Sequence, residues 1–134
     1  MADAVEFELV SPDRLVLSAA AGMVVVPGAE GDFGVLPGHA PLISNVRPGV
    51  ISVYQDRVIE ARIFVSGGFA EVSDNRLTVL TEEAVVVDEI DRAAAEARLA
   101  EARQAAEVAG DDPARAAAEK RLAIAEALVA AVVG

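Results

Sequence analysis

The residue alphabet of this chain changes near Asp88, and that break constrains the fold more than any motif does. Of the six prolines only Pro113 follows it, and of the ten glycines only Gly110 and Gly134 do. Valine, glycine and proline dominate the first stretch; alanine, glutamate and arginine dominate the second. Frequent proline and glycine punctuate short extended segments, whereas Ala, Glu and Arg are strong helix formers. The sequence therefore predicts a β unit over residues 1–87 followed by a helical unit over residues 88–134. The whole chain, 134 residues, is the size of one ordinary domain with a small appendage.

Within the first stretch, Val5-Glu6-Phe7-Glu8-Leu9 alternates apolar and acidic residues, the period of a strand with one buried face. Pro12-Asp13 turns the chain into Arg14–Ser18. The run Gly22-Met23-Val24-Val25-Val26 is largely β-branched, as for a strand covered on both faces, and Pro27-Gly28 is expected to end it. Further strands are predicted at Leu42–Val46, Val50–Tyr54, Val58–Val65, Phe69–Val72 and Leu77–Thr81. Turn signals separate them at Pro48-Gly49, Gln55-Asp56, Gly67-Gly68 and Ser73-Asp74-Asn75. Strands recurring about every 8–12 residues without a long intervening helix point to an antiparallel sandwich or barrel.

The second stretch reads as a helical hairpin. Asp88 and Glu89 suit a helix N-terminus, where carboxylates meet unpaired amides. A first helix is expected from about Ile90 to Ala109, with Gly110 beyond its end. A second starts with Asp112 as N-cap and Pro113 at the first helical position, and runs towards Val133. The spacing suggests ion pairs Asp88/Arg92, Arg103/Glu107 and Arg115/Glu119. Ala95, Leu99, Ala102 and Ala106 form one stripe, and Ala118, Leu122, Ala125 and Val129 the facing one. Alanine buries little area, so the helices are robust individually while their docking is comparatively weak.

Charge and composition exclude several functions. Asp and Glu number 22 against 11 Lys and Arg, a formal net charge of −11. Nucleic-acid backbones and anionic lipid surfaces both need clustered cations, so neither is an expected partner. There is no cysteine, hence no thiolate metal site, and His39 is the one histidine, so no metal site and no cofactor are expected. The longest apolar runs, Ala19–Val26 and Leu122–Val133 (broken by Glu126), fall short of the roughly 18–20 residues that span a bilayer. Direct membrane insertion is therefore not expected. The start Met1-Ala2-Asp3-Ala4-Val5-Glu6 is acidic, unlike a secretory or organellar leader.

No catalytic constellation emerges. Gly28-Ala29-Glu30-Gly31-Asp32-Phe33-Gly34 has glycines three apart but lacks the Lys-Ser/Thr of a phosphate loop, and its carboxylates would repel phosphate, so a tight hairpin is expected. His39 sits between Gly38 and Pro41 with no nucleophile beside it, and reads as a structural or contact residue. Glu82-Glu83 and Glu30/Asp32 read as solvated charge rather than acid–base pairs. Arg92, Arg98, Arg103, Arg115 and Arg121 read as a salt-bridged surface rather than an anion clamp. Two classes remain: a structural or regulatory subunit that binds proteins, and a stand-alone small-ligand binder or enzyme with a loop-borne site. The lack of catalytic motifs favours the first.

Several segments in combination carry a resemblance. They are Phe7-Glu8-Leu9-Val10-Ser11-Pro12, the run from Val26 through Gly28-Ala29-Glu30-Gly31-Asp32-Phe33-Gly34 to Pro37-Gly38-His39-Ala40-Pro41-Leu42, Arg47-Pro48-Gly49, Ser66-Gly67-Gly68-Phe69-Ala70-Glu71-Val72 and Leu77-Thr78-Val79-Leu80-Thr81. Along nearly its whole length the chain resembles the epsilon subunit of bacterial F-type ATP synthases. The resemblance implies a ten-stranded antiparallel β-sandwich followed by two antiparallel helices. It implies a non-catalytic rotor subunit at the foot of the central stalk, bound to the gamma subunit and the c-ring, coupling proton flow to ATP synthesis. The expected location is the cytoplasmic side of the bacterial inner membrane, peripheral, as part of the synthase.

By the same resemblance, Glu30, Gly31, Asp32 and Phe33, with His39 beside them, are expected to meet the polar loops of the c-ring. The acids would pair with ring cations and Phe33 would act as an apolar anchor. Some relatives bind ATP through a segment I/L-D-x-x-R-A. Here Ile90-Asp91-Arg92-Ala93-Ala94-Ala95 keeps Asp91 but has Ala94 where the arginine belongs, and Arg92 lies about 200° round the helix from it. Nucleotide binding is therefore expected to be weak or absent. Many relatives inhibit hydrolysis through basic residues on the second helix, which reach the catalytic alpha/beta head. Arg121 is the last basic residue here, and Leu122–Gly134 carries only Glu126, so the pattern speaks against autoinhibition by that route.

Overall fold

The computed structural model describes residues 4–134; the acidic start at Met1–Asp3, and with it part of the reading of the N-terminus, lies outside them. Ten strands come first: β1 (Val5–Ser11), β2 (Arg14–Ala21), β3 (Met23–Gly28), β4 (Gly31–Val35), β5 (Leu42–Val46), β6 (Gly49–Gln55), β7 (Val58–Val65), β8 (Gly68–Ser73), β9 (Arg76–Leu80) and β10 (Ala84–Val86). A 3₁₀ turn at Val87–Glu89 leads into α1 (Arg92–Val108) and α2 (Asp112–Val133). No helix among the described residues is long and apolar enough to cross a membrane.

The strands form two leaves of a sandwich. One runs β4-β3-β6-β7-β10 and the other β5-β8-β9-β1-β2. They join where Gly28 of β3 pairs with Val46 of β5, flanked by Ala29 N–H to Asn45 O and Arg47 N–H to Pro27 O, both 2.9 Å. Alternation decides what lies between the leaves. Val5, Phe7 and Leu9 point inward and are buried while Glu6 and Glu8 point outward, and Val24, Val26, Ile51, Ile63, Leu77 and Val79 complete the core. Each such side chain contributes on the order of 1.5–3 kcal/mol by leaving water.

Several expectations are corrected. The sandwich is not wholly antiparallel: β1 lies parallel to β9, with Glu6 opposite Arg76 and Val10 opposite Leu80. The valine-rich β3 is not covered on both faces. Val24 and Val26 are buried but Met23 and Val25 only half-buried, because β-branched residues also suit a one-sided strand. Pro27-Gly28 lies inside β3 instead of ending it, the turn falling at Ala29-Glu30. β4 and β10 had no strand signal of their own, being short and, in β4, interrupted by Gly34 and Asp32.

The helix caps move as well. Asp88 and Glu89 lie in the 3₁₀ turn, and Asp91 caps α1, its carboxylate accepting from Ala93 N–H at 3.0 Å. Asp111, not Asp112, caps α2, accepting from Ala114 N–H at 2.8 Å. Among the described residues none of the three expected helical ion pairs forms. Arg92 pairs instead with Glu96 and Arg115 with Asp112. The helices pack on each other and on the outer face of the first leaf. There Phe64, fully buried, and Val50 meet Ala95, Ile124, Leu128 and Ala131. Leu99, Ala106, Leu122 and Val129 of the predicted stripes are only half-buried, since part of the apolar surface of α2 faces the sheet.

Candidate partner interface

The glycine-rich segment forms the β3–β4 hairpin. Gly28 pairs with Gly31 across the turn, and a Cβ at Gly28 would come within 2.6 Å of the Gly31 carbonyl oxygen and 2.9 Å of the Phe33 ring. Only glycine lets the ring settle over the strand there. Phe33 is thereby half-buried against the core, leaving one edge at the surface. Gly31 takes φ +135°, a conformation that side chains rarely adopt.

Arg47 braces this hairpin from the next strand connection. Its guanidinium donates to the Gly28 carbonyl and, at 2.6 Å, to the Asp32 carboxylate. The charge on Asp32 is thus met from within the chain. Glu30 stands exposed at the turn and makes no ion pair among the described residues. The hairpin presents one carboxylate, a braced backbone and an aromatic edge.

His39 is not beside this turn. It lies past the other end of β4, in the loop Leu36–Pro41, and the five residues of β4 put about 17 Å of strand between them. Its N–H bonds the Leu36 carbonyl at 3.1 Å, and its Nδ1–H donates to the Ala40 carbonyl at 2.6 Å. Asn75 fixes the loop, its side-chain oxygen accepting from Gly38 N–H and its amide donating to the Ala4 carbonyl. Among the described residues β4 pairs only with β3, so the turn and His39 mark the two ends of one open sheet edge.

A second polar site escaped the sequence reading. Glu83, between β9 and β10, meets Arg98 of α1 through two parallel hydrogen bonds of 2.8 and 2.9 Å. The Arg98 hydrogen bonds hold the Glu83 carboxyl below its ordinary value despite partial burial, and the pairing raises Arg98 in turn. Thr81 and Ser66 tie the same corner to the sandwich. Glu83 is therefore not simply a solvated charge: though partly exposed, it is met by Arg98, while Glu82 beside it stands exposed. No local signal marks a contact across fifteen residues.

Between the helices lies an open hollow of about 440 Å³ lined by Arg98, Glu101, Ala102, Ala105 and Arg121. The segment aligned with the nucleotide motif contributes little to it. Asp91 is spent on the helix cap, Ala94 is exposed and Arg92 turns to Glu96. No cluster of three or more possible metal ligands occurs among the described residues.

Comparison with known proteins matches residues 4–87 to the family described as ATP synthase, Delta/Epsilon chain, beta-sandwich domain. Similarity to individual relatives extends into the helices. The chain is 50% identical over 132 residues to the ATP synthase epsilon chain of Paramagnetospirillum magneticum, covering 98% of this chain and 99% of that one. It is 52% identical over 131 residues to that of Rhodospirillum rubrum, covering 98% of each. Among solved structures, it is similar to a chain of the Euglena gracilis mitochondrial ATP synthase, in its OSCP/F1/c-ring assembly. There the TM-score is 0.84 and the identity 30%, over 98% of this chain and 83% of that one. A chain in the central stalk and c-ring structure of the Tetrahymena thermophila mitochondrial enzyme shares the fold, with TM-score 0.70 at 15% identity over 96% of each. A sandwich braced at its glycine hairpin, a helical pair folded on one leaf and identity running the length of the chain agree on one assignment: the chain belongs to the ATP synthase delta/epsilon chain family.

Proposed function

We propose that this chain is a non-catalytic rotor subunit of an F-type ATP synthase, joining the gamma subunit to the c-ring and turning with both. The observation that best supports the mechanical part is the joint between the leaves. Backbone pairing at Gly28 and Val46, the Arg47 brace and the interlocked β1–β9 pair make the sandwich a stiff body able to carry torque. The carboxylates paired with arginine fit a transmitting part: Asp32 braces the hairpin through Arg47, Glu8 ties β1 to β9 through Arg76, and Glu83 docks α1 through Arg98.

The ring contact is assigned to the open edge of β4, with Glu30, Gly31, Asp32 and Phe33 at one end and His39 at the other. Because Arg47 already neutralises Asp32, the pairing with ring cations falls chiefly on Glu30. Residues 1–87 are the mechanical unit and residues 88–134 an appendage that stays folded on the sandwich. Nucleotide binding by the helices is weak or absent, and the end of α2 beyond Arg121, which has no basic residue, does not inhibit the catalytic head through cations. The subunit works at the cytoplasmic face of the bacterial inner membrane, held there by the assembly. Reconstitution tests the reading: the purified chain must join gamma and the c-ring, and must hydrolyse nothing alone. Failure to join them, or turnover of a substrate, would sink it.

A further inference from the structure

Two hairpin turns of the sandwich share one backbone shape but are filled differently. Asp56-Arg57 joins β6 to β7 and Asp74-Asn75 joins β8 to β9, and all four residues have positive φ, from 50° to 67°. The second place of such a turn favours glycine or asparagine, because most side chains are strained there. Arg57 fills it in the first turn and stands exposed. Asn75 fills it in the second and reaches distant parts of the chain. Its Oδ1 accepts from Gly38 N–H at 3.0 Å, its Nδ2 donates to the Ala4 carbonyl at 2.6 Å, and its own carbonyl accepts from Glu6 N–H at 3.1 Å. Only one orientation of the amide satisfies both side-chain bonds, since Gly38 offers a donor and Ala4 an acceptor.

The loop that Asn75 reaches is the crossing from the first leaf to the second. Leu36–Pro41 leaves β4 and enters β5, and two of its six residues are prolines, which bring no N–H. Gly38 adopts φ +82° in it, and His39 N–H bonds back to Leu36 within the loop itself. At the other end of β4 the leaves are sewn together by backbone bonds around Gly28 and Val46. At this end the tie comes from a side chain, that of Asn75. Ala4 leads into β1, which runs along β9 in the parallel seam, so the same amide also joins the loop to the start of that seam.

We infer that Asn75 is a positioning residue: its side-chain amide holds His39 at a fixed place relative to the β4 edge, and so sets what that edge presents to a partner. The consequence for binding rests on the proposed ring contact at that edge, whereas the clamp itself rests on the hydrogen bonds of Asn75. Neither close substitute does the same. Glycine relaxes the turn but removes both side-chain bonds. Aspartate keeps an acceptor for Gly38 but sets a carboxylate oxygen, which donates nothing, against the Ala4 carbonyl.

Two variants of the full chain separate the bonds. In Asn75→Gly, amide exchange at Gly38 is expected to rise about five- to tenfold, the factor that one ordinary hydrogen bond controls, with exchange at Leu77 and Val79 unchanged. In Asn75→Asp at neutral pH, Gly38 should stay protected while the amide nitrogen shift of Val5, which reports on the carbonyl before it, moves. Capture of the c-ring should fall about threefold or more in Asn75→Gly and recover in Asn75→Asp. Arg57→Gly, the same substitution in the twin turn, should change neither Gly38 exchange nor capture. Unchanged Gly38 exchange in Asn75→Gly overturns the clamp. A loosened Gly38 with undiminished capture overturns the positioning role, and so does a loss of capture that Arg57→Gly reproduces. A parent that captures no ring overturns the ring contact, and Gly38 exchange then decides the clamp alone.

Discussion

Arg98 presents two guanidinium nitrogens to the two carboxylate oxygens of Glu83, at 2.8 and 2.9 Å, and thereby ties the first helix to the corner between β9 and β10. Both side chains are more than a third exposed, so solvent screens the pair and its contribution is expected at about 1 kcal/mol or less. Its importance is positional, since the alanine-rich helices have few large side chains to hold them down. Arg98→Ala should raise amide exchange in α1 while leaving exchange in the β1–β9 core unchanged. Equal exchange in both variants would show that apolar contact alone holds the hairpin.

Acid should act on the same pair. The Glu83 carboxyl is held below its ordinary value near 4.5, so the pair contributes fully above that pH. The contribution fades as pH falls through the lower value of the docked state. Because the chain has no cysteine, two introduced ones, at Val108 and Glu60, can carry dyes. Energy transfer between them should change below about pH 4.5 in the parent and should lose that transition in Glu83→Gln.

Phe64 is the largest fully buried side chain between leaf and helices. Phe64→Ala should cost about 3–5 kcal/mol if the site cannot collapse, and less if the hairpin swings away. Chemical denaturation followed in helical and sheet signals separately distinguishes these. The expected result is an earlier helical transition and a sandwich transition near that of the parent.

Gly68 tolerates no side chain. A Cβ there would stand 1.9 Å from the Leu80 carbonyl oxygen, at φ +143°. Gly68→Ala should destabilise the sandwich by at least about 2 kcal/mol, measured in urea. Gly110→Ala, with open space around it, should change stability by less than about 1 kcal/mol.

At the β3–β4 turn, Glu30→Lys should weaken assembly onto the c-ring without lowering the melting temperature. Asp32→Lys should do both slightly, because it also breaks the Arg47 brace. Ring capture and thermal melting on the same preparations read the two effects. Unchanged capture in both variants would remove the electrostatic part of the ring contact.

Much of this fold was legible in short-range patterning. Val5, Phe7 and Leu9 announced an inward face, and Gly28 through Gly34 announced a hairpin. What escaped were choices made between distant parts. Nothing local tells Glu6 to lie beside Arg76, or makes that pair parallel. Asp111 and Asp112 are chemically equal candidates for a cap, and only the backbone geometry decides for Asp111. Asn75 shows as an ordinary turn residue until folding brings Gly38 and Ala4 to its side chain. For the candidate site, sequence reasoning found the turn carrying Glu30 and the loop carrying His39. The family resemblance set them side by side, and β4, which gives no strand signal of its own, is what separates them.

The parallel seam between the first strand and β9 has a consequence for biogenesis. The opening strand must find a neighbour 68 residues further along, as Glu8 and Arg76 do. While the polypeptide is still emerging, that strand has only β2 to pair with, and the second leaf stays incomplete until β9 appears. Such distant pairing slows closure. Closure of the second leaf is thus deferred until β9, Arg76–Leu80, has emerged, and nascent chains truncated before Arg76 are the ones that chaperones should meet.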